Sequence, residues 1–174
     1  MKRKLKTGLV LAFVAGLLAL FIHPDYRQGE ASMRGRPAKN FQFTIDGKPQ
    51  TLADLRGKVI VLNFWATWCP PCVEETPSLL QLQKRLAPRG ATILGISLDD
   101  DQNAYAEFLK TYHIDFPTYR DPTKKSALDY GTIMYPETYI IDRNGRIDRK
   151  IVGPQDWTGP GMTAYLNSVL EAKN

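Results

Sequence analysis

Val59-Ile60-Val61-Leu62-Asn63-Phe64-Trp65-Ala66-Thr67-Trp68-Cys69-Pro70-Pro71-Cys72 leads an almost wholly apolar run into the only two cysteines of the 174-residue chain. Val59–Trp65, dominated by β-branched and aromatic side chains, predicts a buried strand. The segment after Pro71 predicts an amphipathic helix to about Leu86, with Leu79, Leu80, Leu82 and Leu86 as its core face. Pro77, which lacks an N–H, should kink that helix near 72–76. Cys69 then stands at a helix N-terminus, where free N–H groups and the helix dipole favour a thiolate. Cys72 follows one turn later, as a resolving thiol for disulfide exchange would. Bland readings compete with this one. A structural disulfide closing so short a loop constrains the unfolded chain little. Half of a zinc site would need further ligands, and His23 and His113 stand in no ligand spacing. Two inert buried cysteines would need no strand-to-helix junction.

Upstream, Lys2, Arg3, Lys4 and Lys6 precede an uncharged run, Gly8 to Ile22, closed by His23-Pro24. This is a signal-peptide or signal-anchor pattern with the basic end on the cytoplasmic side. Residues 7–22 would form about 24 Å of helix. That is somewhat short of a hydrocarbon core of about 30 Å, a gap closed by snorkelling and local thinning. No convincing small-x-small cleavage site follows, so an uncleaved single-pass anchor is expected, with a cleaved secretory signal as the alternative. The expected organisation is a basic cytoplasmic stub (1–6), a transmembrane signal anchor (7–22), a linker (23–39) and one domain (40–174). The formal net charge of +5 belongs to the first two-score residues, because residues 40–174 carry 15 basic and 16 acidic side chains. Charge therefore gives no argument for nucleic-acid binding.

Within the domain, Phe41-Gln42-Phe43-Thr44-Ile45 alternates and meets the turn signal Asp46-Gly47, predicting a hairpin whose return strand begins at Pro49. A strand at 92–98, an amphipathic helix at 103–113 and a short helix at 126–130 ended by Gly131 follow. Pro136–Asp142 predicts a strand, turned by Asn144-Gly145 into 146–152, and Gly159 to Lys173 a closing helix. The fold class is α/β: a central mixed sheet flanked by helices, preceded by a β-hairpin.

The run from Val61 to Cys72, with Leu55-Arg56-Gly57-Lys58, Gly95-Ile96-Ser97-Leu98-Asp99, Phe116-Pro117 and Tyr135-Pro136-Glu137-Thr138-Tyr139-Ile140-Ile141-Asp142, resembles the thioredoxin-like TlpA/ResA/CcmG (DsbE) group. Those proteins are membrane-anchored extracytoplasmic thiol–disulfide oxidoreductases. The resemblance implies a thioredoxin-like sandwich, a redox-active Cys69–Cys72 disulfide, and a cis Tyr135–Pro136 peptide facing Cys69. Trp68, Tyr135 and Pro136 become the substrate-contacting set, with the Tyr135 backbone pairing an incoming peptide like an added strand. No metal and no cofactor are implied. The resemblance further implies location on the outer side of a bacterial cytoplasmic membrane and a DsbD/CcdA-type membrane electron donor. Its implied clients are apocytochrome c or a copper-site assembly factor.

Thioredoxin carries a buried Asp six residues before its first active-site cysteine, where this chain has Asn63. Asn cannot accept a proton, so Glu75, one turn beyond Cys72, has two readings: a base or electrostatic tuner for Cys72, or an acid complementing the helix dipole. Pro70 and Pro71 remove two N–H donors that could stabilise a Cys69 thiolate. The expected potential is nearer thioredoxin's roughly −270 mV than DsbA's roughly −120 mV. Two rivals share the general fold. A thiol peroxidase would need a Thr hydroxyl and an Arg at the reactive cysteine. A Sco-type copper chaperone would need Cys-x-x-x-Cys and a well-placed His.

Overall fold

A computed structural model of the chain describes Phe13 and residues 33–172. The predicted anchor at 7–22, apart from Phe13, lies outside the described residues, as do the basic stub and the linker up to residue 32. Among the described residues no helix is long and apolar enough to cross a membrane.

Strands β1 (Gln42–Ile45) and β2 (Lys48–Thr51) form the predicted hairpin, a sheet of its own, followed by a 3₁₀ turn at Leu52–Leu55. The main sheet holds β3 (Val59–Trp65), β4 (Ala91–Ser97), β5 (Thr118–Arg120), β6 (Glu137–Ile141) and β7 (Ile147–Val152), in the order β5-β4-β3-β6-β7. β3 is parallel to β4 and antiparallel to β6, so the sheet is mixed as expected. The helices are α1 (Pro70–Leu86), α2 (Gln102–Thr111), α3 (Lys125–Tyr130) and α4 (Pro160–Glu171).

All seven residues of β3 are buried. Val59 and Val61 pack with Leu79, Leu82 and Leu86 of α1 and Leu166, Val169 and Leu170 of α4. Ile60, Leu62 and Phe64 point the other way, into a cluster with Phe43 of the hairpin and Ala127 and Tyr130 of α3. Side chains alternate across a strand, so a strand covered on both faces reads as one continuous apolar run. Asn63 is the exception, and it points toward α1. α1 continues through Pro77 as one element. The Thr76 hydroxyl donates to the Cys72 carbonyl within that turn (2.9 Å).

Residues 35–38 are not free of the domain. Gly35 N–H donates to Ile147 C=O (2.7 Å), Ala38 N–H to Gly145 C=O (2.9 Å), and Pro37 bridges Arg146. The incoming chain is thereby fixed to the β6–β7 turn. That turn neighbours the start of β3, because Gly57 N–H donates to Arg143 C=O (2.9 Å), whereas the cysteines follow the end of β3.

Gly95 in β4 is required by space: a Cβ there would lie 3.0 Å from Phe116 Cε2 and Trp65 Nε1 and 3.1 Å from Thr118 Oγ1. Gly95→Ala should lower unfolding free energy by about 1–3 kcal/mol through overpacking, measured by denaturant titration.

Candidate active site

At the end of β3 the chain turns through Ala66–Cys69, closed by the Cys69 N–H donating to the Ala66 carbonyl (3.2 Å). Cys69 is the N-cap of α1, with extended backbone, and Pro70 and Pro71 fill its first positions. Proline suits this place because its fixed φ is already helical and its missing N–H would have had no partner inside the helix. Cys69 and Cys72 are joined by a disulfide, their Cα atoms 5.3 Å apart. The N–H groups of Cys72 and Val73 both bond the Cys69 carbonyl (3.0 and 3.1 Å). Two donors are thus absent from this helix end and the next two are occupied by backbone. Among the described residues no hydrogen bond reaches either sulfur.

The disulfide is buried in an apolar cluster with Trp65, Ala66, Tyr105 and Phe108, against which Tyr135 packs. The Trp65 ring lies 4.9 Å from that of Phe108 and 6.1 Å from that of Tyr105. Trp68 is exposed, its ring edge-on to Tyr135 at 6.0 Å, and the Tyr135–Pro136 peptide is cis. Tyr135 therefore packs on the Cys69–Cys72 cluster on one side and on Trp68 on the other, with Pro136 next to it in the chain. Ile133 (83% exposed) and Met134 (57%) extend the exposed apolar chain leading into Tyr135.

Glu75 is not in that cluster. It lies beyond the first turn of α1, where the dipole effect has faded, and is only 3% exposed. Its carboxyl accepts from Asn63 Nδ2 (2.9 Å), Gln155 N–H (3.1 Å) and Trp157 Nε1 (3.1 Å). Asn63 also donates to Thr138 Oγ1 on β6 (2.9 Å). Burial pushes the Glu75 carboxyl up to about 7, against the pull of those three hydrogen bonds. A cleft of about 420 Å³ between α1 and residues 154–156 runs past Glu75. A carboxyl set near neutrality, one turn from Cys72, can take or give a proton at working pH.

Sequence reasoning did not find Gln155, Trp157 or Thr138 as partners, since a single Trp in an irregular segment carries no periodicity. Nor did it find the ion pair of buried Glu137 with Lys150 Nζ (3.1 Å), directly after Pro136. The Thr67 hydroxyl, the group a peroxidase would need, donates to Asp99 Oδ1 (2.6 Å). His113 is exposed at the end of α2, and no cluster of three metal-ligating side chains occurs among the described residues.

A strand-to-helix disulfide with a cis Tyr135–Pro136 peptide, whose tyrosine packs on it, on a mixed α/β sheet defines a thioredoxin-like thiol–disulfide oxidoreductase. The chain belongs to the AhpC/TSA family, whose sequence pattern matches residues 34–150. It is 31% identical over 163 residues to the thiol-disulfide oxidoreductase ResA of Bacillus cereus, covering 92% of this chain and 93% of that one. Against ResA of Bacillus subtilis the identity is 31% over 172 residues, covering 97% and 94%. A solved structure from Chlorobium tepidum, described as a thiol:disulfide interchange protein DsbE, superposes with a TM-score of 0.74 at 27% identity over 79% of this chain and 97% of that one. The chain is accordingly a thiol–disulfide oxidoreductase of the ResA/DsbE type.

Glu75 supplies a pH test. Its folded value near 7 exceeds the ordinary 4.5, so between these values the folded state holds a proton that the unfolded state releases. Stability should fall as pH rises through that window and level off above it, by on the order of 3 kcal/mol. In Glu75→Gln that slope should vanish, as measured by urea unfolding of the disulfide form across pH.

Proposed function

We propose that this protein is an extracytoplasmic, membrane-anchored reductant of protein disulfides. The observation that carries the reading is the Cys69–Cys72 pair at the start of α1, packed against the Tyr135 that precedes cis-Pro136, with the buried Glu75 one turn further along the helix. In the reduced protein the Cys69 thiolate attacks a client disulfide. One client sulfur bonds Cys69 and the other leaves as thiolate. Cys72 gives its proton to Glu75 and attacks Cys69, expelling the second client thiolate. Two electrons pass to the client, and the disulfide seen in the structure is the product. The helix end offers the Cys69 thiolate no backbone N–H beyond those already bonded, which favours electron donation over acceptance.

The exposed backbone around Tyr135, with Trp68, Ile133 and Met134 beside it, suits an extended peptide with apolar side chains next to its cysteine. The anchor reading of residues 7–22 supports a location on the extracytoplasmic side of the cytoplasmic membrane, where disulfides persist and a reductant must be recharged. A DsbD/CcdA-type membrane donor fits that need. Clients of the apocytochrome c or copper-site assembly class fit a selective reductant.

Cys72→Ser should accumulate mixed disulfides with client proteins in membranes, identified by mass spectrometry, while Cys69→Ser should capture none and reduce no disulfide. A glutathione titration should place the wild-type couple near roughly −270 mV; a value near roughly −120 mV would overturn the assignment as a reductant.

A further inference from the structure

Asp99 ends the β4 segment and is 1% exposed, a carboxylate buried beneath the active-site turn. Thr67 N–H donates to both its oxygens (3.1 Å each), and the Thr67 hydroxyl donates to Oδ1 (2.6 Å). Ser97 Oγ donates to Oδ2 (2.7 Å). Thr67 and Ser97 thus hold both side-chain oxygens, and the Asp99 N–H donates in turn to Ser97 Oγ (3.2 Å). Arg120 does not pair with the Asp99 side chain. Arg120 directs Nη1 to the backbone carbonyls of Asp99 and Asp100 (3.1 Å each) and Nε to Gln102 (2.8 Å). Lys124 pairs with Asp100 (3.0 Å). From α1 the charge-bearing groups nearest the cysteines in sequence are Glu74 and Glu75, both acidic.

Thr67 lies inside the closed turn Ala66–Cys69. Cys69 is two residues further on, its Cα at most about 7.6 Å from that of Thr67. An anion bonded to the residue two before Cys69 acts on a thiolate formed there, and the same anion fixes the backbone that presents it. We propose that Asp99 is a positioning residue for the nucleophile: through Thr67 it holds the Ala66–Cys69 turn, and its charge beneath the turn opposes thiolate formation at Cys69, which keeps the pair an electron donor. The proposal rests on Cys69 being the attacking sulfur.

The two effects separate by substitution. Asp99→Asn keeps an acceptor for Thr67 N–H and can pair both hydroxyls, but it removes the charge. In the reduced full-length protein it should raise the Cys69 thiolate fraction at neutral pH about tenfold, read from ultraviolet thiolate absorbance and the pH profile of alkylation. A purely structural role would leave that fraction unmoved. Thr67→Val keeps both the charge and the backbone N–H. It should lower kcat/KM for a disulfide substrate several-fold while leaving the thiolate fraction within twofold of wild type. A thiolate fraction in Asp99→Asn within twofold of wild type overturns the electrostatic role. Unchanged kcat/KM in Thr67→Val overturns the positioning role, and this variant decides if Asp99→Asn fails to fold. Wild-type protein unable to reduce any disulfide would overturn the reading of Cys69 itself, a result distinct from both.

Discussion

The site of this protein is organised around β3, and β3 is held by being covered on both faces. Val59 and Val61 are gripped by α1 and α4, and Ile60, Leu62 and Phe64 by the hairpin and α3. A strand fixed in this way has no freedom of register, since a one-residue slip would turn Asn63 into an apolar cluster. The strand's end therefore delivers Trp65, the Ala66–Cys69 turn and the first residue of α1 to one place. The neighbouring strands deliver the rest: Asp99 follows β4 and Pro136 precedes β6, both beside the end of β3.

Asn63 shows how a polar residue is kept in such a strand. Its amide nitrogen bonds Glu75 on one side and Thr138 on the other, so helix, central strand and β6 are tied through one side chain. The carboxyl that thioredoxin carries on the strand is here moved onto the helix, and the strand supplies a donor instead. Burial then sets Glu75 near neutrality. Asp99, equally buried, is held by Thr67 and Ser97. Two buried carboxyls of different surroundings are thus tied to the segments around the cysteine pair: Glu75, three residues after Cys72 and bonded by Trp157 and Gln155, and Asp99, bonded by Thr67 two residues before Cys69.

The strands, the hairpin turns and the helices were legible because each leaves a periodic or punctuated trace. Val59–Trp65 is apolar apart from Asn63 because both faces are covered, Asn144-Gly145 marks the β6–β7 turn, and Gly131 ends α3 in the left-handed region. The cysteine pair and the cis-proline were legible through motif and resemblance. The support of the site was not. Trp157 reaches Glu75 across 82 positions, and Lys150 meets Glu137 across a strand pair. Nothing in the local pattern of either segment announces the contact. Asp99 was visible as the last residue of a strand motif, but its hold on Thr67 depends on β3 and β4 lying parallel with Trp65 beside Ser97. The pairing of residues 35–38 with the β6–β7 turn was likewise invisible, because an Arg- and Gly-rich segment reads as linker until its partner is known.

That pairing gives the molecule a handle. The chain enters along Gly35–Ala38, at the end of the sheet where β3 begins, and the disulfide lies past the other end. The seven residues of β3 span about 23 Å. Held from residue 35, the protein is a lever with its reactive tip at the far end of a rigid arm. The point where the chain joins the domain and the point where the chemistry sits are thus held a full strand length apart by one rigid element, so neither crowds the other.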